Sequence, residues 1–254
     1  DGPTSVSYYS TEPLASTLNE LVDFDYLNRD GPRLSVGAVN IATGYLLFFD
    51  KDKEKLTPEH IMASGALPPG LPPVKIGRDY YWDGGLVSNT PLQYVLDESS
   101  APEKFIFQVD LFNARGLVPG NLLEAAEREK EIRYSSRTRF NTDMAAKRIE
   151  YRAALARLLR KLPLALQGDA DAQLLAEIGR EPAVTIVHLI YRERGYETQA
   201  RDYEFSRVSV EEHWEQGRKD ALTTLAHDRL KSCIPPKPGV TVLDLTKKTS
   251  PLES

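Results

Sequence analysis

Cysteine is almost missing from this chain: Cys233 is the single thiol in 254 residues. No internal disulfide can form, so the fold must hold without one, and a reducing cytoplasm is the expected compartment. A basic excess is missing too. Lys and Arg total 32 against 37 Asp and Glu, a formal net charge of −5, which leaves nothing to neutralise a phosphate backbone and argues against a nucleic-acid partner. Long apolar runs are also lacking. Stretches such as residues 183–191 are far shorter than the roughly 20 residues a bilayer span requires, and no basic-then-apolar segment marks a secretion signal. The opening Asp1-Gly2-Pro3-Thr4-Ser5 has no initiating Met and reads as the interior of a loop, so native chain upstream is expected. The four histidines, His60, His188, His213 and His227, are scattered without metal-ligand spacing, and neither a metal nor an organic cofactor is expected.

What remains is a globular composition, 41% hydrophobic and 27% charged. Leu14, Leu18, Leu21 and Val22 recur at helical spacing, predicting a short amphipathic helix over residues 12–24. Residues 34–40 and 45–49 are apolar and partly β-branched around the turn-prone Ala42-Thr43-Gly44, predicting a β-hairpin. Thr57-Pro58-Glu59 offers a cap and a proline for the first turn of a helix over 60–66. An aromatic strand at Tyr80-Tyr81-Trp82 runs into Asp83-Gly84-Gly85, and Asn89-Thr90-Pro91 opens a further helix. Residues 105–112 read as a buried strand, so the first half alternates strands and helices in the manner of an α/β fold.

From about residue 121 the character changes. Residues 124–162 are rich in Glu, Lys, Arg, Ala and Leu and predict long helices ended by Pro163; 183–191 returns as a strand. Ser209-Val210-Glu211-Glu212 reads as a capping box ahead of a last helix reaching Ala226. The tail beyond Ile234, rich in Pro and Lys, is expected to be mobile. These changes divide the chain into residues 1–120 and a mainly helical segment with one strand, 121–254.

The chemistry concentrates in residues 60–92, HIMASGALPPGLPPVKIGRDYYWDGGLVSNTPL. Asp83 stands at a strand end directly before two glycines, which allow a sharp turn and a close backbone approach. A carboxylate so placed can meet a nucleophile held on a neighbouring strand-to-helix turn. Taken alone, Asp-Gly-Gly is more often just a tight turn.

The whole block, however, resembles patatin-like phospholipases, in which Ala-Ser-Gly-Ala-Leu-Pro precedes a Trp-Asp-Gly-Gly turn and then Asn-Thr-Pro. The resemblance continues through Asp110-Leu111-Phe112-Asn113-Ala114-Arg115-Gly116, Tyr134-Ser135-Ser136-Arg137-Thr138-Arg139 and Asp202-Tyr203-Glu204-Phe205-Ser206, which look like the C-terminal extension of a bacterial subgroup. It implies the C-terminal part of a three-layer α/β/α sheet followed by a mainly helical extension. It also implies a lipid acyl hydrolase with a two-residue Ser-Asp pair, in which Asp83 is the base and Gly84 and Gly85 shape its turn. The chain departs from that pattern in one respect: none of its sixteen glycines belongs to a Gly-x-Ser-x-Gly elbow. The resemblance puts that elbow in a segment upstream of Asp1, as a partner for Asp83. Without it a serine lacks a positioned base and oxyanion donors, each worth on the order of 100-fold or more in rate, so the chain alone is expected to be inactive. A non-catalytic lipid-binding or interaction module is the alternative. A parallel sheet without its first strand and nucleophile helix is also expected to expose an edge and apolar faces.

Rival residues read as structural. Ser64 lies in what reads as a helix start, not a strained elbow; His188 reads as a satisfied core histidine. Tyr80, Tyr81 and Trp82 fit packing at least as well as an acyl pocket. Arg128, Lys130, Arg133, Arg137, Arg139, Lys147, Arg148 and Arg152 suggest a membrane-facing surface, but Glu124, Glu127, Glu129, Glu131 and Glu150 dilute it. A solvated, salt-bridged helix face is the better reading, with peripheral membrane contact as the other.

Overall fold

The computed structural model describes residues 6–98, 101, 103–113, 116–163, 166, 168–178, 183–192 and 206–246. The opening loop and most of the segment from Asp202 to Ser206 lie outside these, as do Ala114, Arg115 and the side chains of Glu127, Arg137 and Arg139. The fold is mixed α/β, with helices and two sheets, one of them parallel. Contacts divide it into two compact units, residues 1–91 and 92–254, where composition had suggested 120.

The first unit holds helices α1 (Glu12–Leu21) and α2 (Phe24–Arg29), strands β1 (Ser35–Asn40) and β2 (Leu46–Asp50), helix α3 (Pro58–Ser64), and strands β3 (Val74–Ile76) and β4 (Asp79–Asp83). The expected hairpin is β1 and β2, in register from Ser35 opposite Asp50 to Val39 opposite Leu46. Its turn is fixed locally: Asn40 Oδ1 accepts from the Ala42 and Thr43 N–H groups, and Gly44 sits at φ 72°, a conformation that favours glycine. The sheet runs β2-β1-β4-β3 and is antiparallel throughout. The strand carrying Asp83 is therefore not part of a parallel layer, in contrast to the parallel sheet expected around the missing upstream strand, because a hairpin and two short strands can close on themselves without crossovers.

Ala38, Phe49, Leu56, Ala63, Ala66, Val74 and Tyr81 form the core between this sheet and α3. His60 closes the capping box of α3, its Nδ1 accepting from the Thr57 N–H at 3.0 Å while its ring meets Phe49 edge-on. Asp50, with no exposed surface, is satisfied by Arg33 Nη2 at 2.7 Å, Ser35 Oγ at 2.6 Å and the Asp52 N–H at 2.9 Å. A buried carboxylate is tolerated only when paired and hydrogen-bonded in this way.

The second unit contains α4 (Leu92–Glu98), β5 (Glu103–Asp110), α5 (Leu122–Leu159), α6 (Ala170–Ile178), β6 (Ala183–Ile190), α7 (Arg207–Ala226), α8 (Asp228–Lys231) and β7 (Gly239–Asp244). Its sheet is parallel, in the order β5-β6-β7. The central β6 is apolar on both faces, as a parallel strand between two layers must be. Leu92, Ala145, Ile149, Val184 and Ile186 pack on one side; Val187, Leu230 and Leu243 pack on the other.

Residues 239–244, expected in the mobile tail, instead form β7, because pairing with β6 satisfies their backbone. The cap of α7 is Ser206, not Ser209: the Ser209 N–H donates to Ser206 Oγ. In α5 the buried positions Ser135, Thr142, Ala145, Ile149, Ala153 and Ala156 mark one seam. Its basic residues Arg128, Arg133 and Arg148 are held by Glu131, Glu129 and Asp97, as a salt-bridged face requires. No helix among the described residues is long and apolar enough to cross a membrane.

Candidate active site

Asp83 is the last residue of β4, opposite Ala38 of β1. Its N–H donates to the Ala66 carbonyl at 3.0 Å, which ties the Ala-Ser-Gly-Ala-Leu-Pro segment to the Asp-Gly-Gly turn. Gly84–Leu86 then form a single 3-10 turn capped by the Asp83 side chain, whose Oδ1 accepts the Gly85 N–H at 2.6 Å. Space demands the first glycine and crowds the second. A Cβ on Gly84 would lie 2.5 Å from the Gly37 carbonyl oxygen, and one on Gly85 would lie 3.0 Å from Asp83 Oδ1 and 3.3 Å from Asn89 Oδ1.

The Asp83 carboxylate is half-buried and pairs with no cation among the described residues. Burial raises its pKa above the ordinary 3.8, and the Gly85 N–H opposes only part of that rise. A carboxylate without a cation, with one oxygen fixed and the other uncommitted, is suited to accept a proton from a hydroxyl brought alongside it.

The rival residues fall elsewhere. Ser64 ends α3 instead of starting a helix, and a helix C-terminus carries the negative end of the peptide dipoles, the wrong sign for stabilising an oxyanion. Tyr81 is buried against Phe49, and Trp82 packs on the same core with its Nε1 unpartnered among the described residues. His188 is buried as expected but is not fully satisfied, since its Nε2 has no hydrogen-bond partner among the described residues. Among the described residues no group of His, Cys, Asp and Glu could hold a metal ion. One neighbour of the turn escaped the sequence reading: Asn89, taken there only as a helix cap, borders the Gly85 position. Its spacing from the Asp-Gly-Gly turn is the one signal that could have flagged it.

The family model described as Patatin-like phospholipase matches residues 3–96, which include this turn, and the one described as Patatin phospholipase matches residues 132–237. The chain belongs to the patatin-like phospholipase family. The first stretch spans the Asp-Gly-Gly block and the second spans the Tyr134-to-Arg139 and Asp202-to-Ser206 motifs, while Asp110-to-Gly116 falls between the two. A search of curated proteins returned no match. For a patatin-like phospholipase the general activity is hydrolysis of lipid acyl esters.

Proposed function

We propose that Asp83 is the general base of a Ser-Asp pair that hydrolyses a fatty-acyl ester, with the serine supplied by a Gly-x-Ser-x-Gly turn that these 254 residues do not contain. The observation that supports this reading is the half-buried Asp83 carboxylate, free of any cation among the described residues and held at Oδ1 by the Gly85 N–H. The serine hydroxyl gives its proton to Asp83 as its oxygen attacks the ester carbonyl. The tetrahedral intermediate then expels the alcohol, which takes the proton back and leaves an acyl-serine. Water, deprotonated by the same carboxylate, releases the fatty acid and restores the serine. Phospholipids, lysophospholipids, neutral esters and microbial storage polyesters all share this chemistry.

Asp83→Asn, made in a protein that carries the elbow, tests the assignment. The amide oxygen keeps the Gly85 hydrogen bond but cannot take a proton. Ester hydrolysis should fall by about 100-fold or more; activity retained in this variant refutes the role.

The absence of an elbow favours one second reading, a non-catalytic lipid-binding or interaction module. A fluorophosphonate serine probe on the native polypeptide separates the two: labelling supports the hydrolase, and no labelling supports the binding module.

A further inference from the structure

Residues 116–123, Gly-Leu-Val-Pro-Gly-Asn-Leu-Leu, contain no charged side chain. Three of their aliphatic residues stand almost wholly in water: Leu117 is 91% exposed, Val118 93% and Leu122 91%. Water disfavours such a cluster.

Polar contacts on both flanks nevertheless hold the loop in shape. On the helix side, Asn121 Oδ1 accepts the Glu124 N–H at 2.9 Å, and Glu124 accepts in turn from the Gly120 N–H at 2.7 Å and from Asn121 Nδ2 at 2.8 Å. On the strand side, Arg128 Nη1 donates to the Asn113 carbonyl at 3.3 Å and pairs with Glu131 at 2.7 Å. The same guanidinium lies so near Gly116 that a Cβ there would sit 2.6 Å from Nη1. Phe112 stacks on Tyr134 with ring centroids 4.7 Å apart. An uncharged apolar tip is thus presented on an anchored base.

We propose that this tip enters the acyl layer of a lipid surface and docks the protein where its ester substrate lies; the inference rests on the lipid-hydrolase reading. Size and charge select this occupant. Residues 117–123 are far fewer than the roughly 20–30 residues a side in a stable protein interface, so a second copy would gain too little from this patch. The tip itself is neutral, and the sequence flanks it with one charge of each sign, Arg115 before it and Glu124 after it, so it does not depend on anionic headgroups and a zwitterionic surface suffices. This mode differs from docking through the basic residues of α5, of which Arg128, Arg133 and Arg148 are held by carboxylates.

Flotation of the full chain with phosphatidylcholine vesicles, with and without phosphatidylserine and at low and high salt, tests the inference. Binding to phosphatidylcholine alone should occur and should survive high salt. Leu117→Asp with Leu122→Asp should weaken it at least about tenfold while leaving the circular dichroism melt unchanged. The proposal is overturned if the unaltered chain does not float, if flotation needs phosphatidylserine or vanishes in high salt, or if the double variant floats equally well. A dimer that becomes a monomer in the double variant, with vesicle binding intact, would assign the tip to a second copy and also overturn it. The catalytic reading is judged separately on a water-soluble short-chain ester, whose hydrolysis by the elbow-bearing protein should fail in Asp83→Asn and be unaffected by the tip substitutions.

Discussion

The Asp83 carboxylate is less stable in the folded chain than in the unfolded one. Its pKa is raised by burial, so the folded state binds its proton more tightly. The contribution therefore favours folding below about pH 3.8 and is lost as pH rises through the folded value. Asp83→Asn should consequently keep or raise the melting temperature at pH 7 while removing activity, and a clear drop in melting temperature would show that the carboxylate is structural. His188 has the opposite sense. Burial lowers its pKa from 6.5, against the pull of Asp244 and Asp143, so the unfolded chain takes up the proton first. Stability from this residue is complete above pH 6.5 and declines as pH falls below it. Thermal melts between pH 5 and 7 should show this slope, and His188→Gln should flatten it; an unchanged slope would mean that another group titrates. Neither sign is legible in the residue types, because both follow from burial created by distant parts of the chain.

Among the elements, the β4 turn depends on the close approach of Gly84 to β1. Gly84→Ala would set its Cβ against a main-chain oxygen that cannot move without the strand, so a loss of about 1–3 kcal/mol is expected, together with displacement of Asp83. Gly65→Ala, in the same motif block, meets nothing within 4 Å and should change stability by no more than about 0.5 kcal/mol. Denaturant melts of the two variants check the contrast, and equal effects would refute the packing argument. Elements with local signals were legible in the sequence: the Thr57-Pro58 start of α3, the Gly44 hairpin turn, and the strand leading into Asp83. Strand β7 was not, since Gly239–Asp244 becomes a strand only through β6. The Ser206 cap was misplaced by three residues because Ser209 offers the same local pattern.

For the whole molecule, the net charge of −5 predicts that a DNA duplex is not retained in a gel shift at about 0.15 M salt; a salt-sensitive complex would contradict this. By itself the sequence determined composition class, most helix and turn positions, the family resemblance and the Asp83-Gly84-Gly85 turn, because caps, left-handed glycines and contiguous motifs act between near neighbours. Only the tertiary structure decided that the sheet of Asp83 is antiparallel, that Gly84 abuts Gly37, and that among the described residues the Asp83 carboxylate has no cation and His188 Nε2 no hydrogen-bond partner. Each of these depends on segments distant in sequence, whose approach creates the burial and the close contacts that residue types alone do not encode.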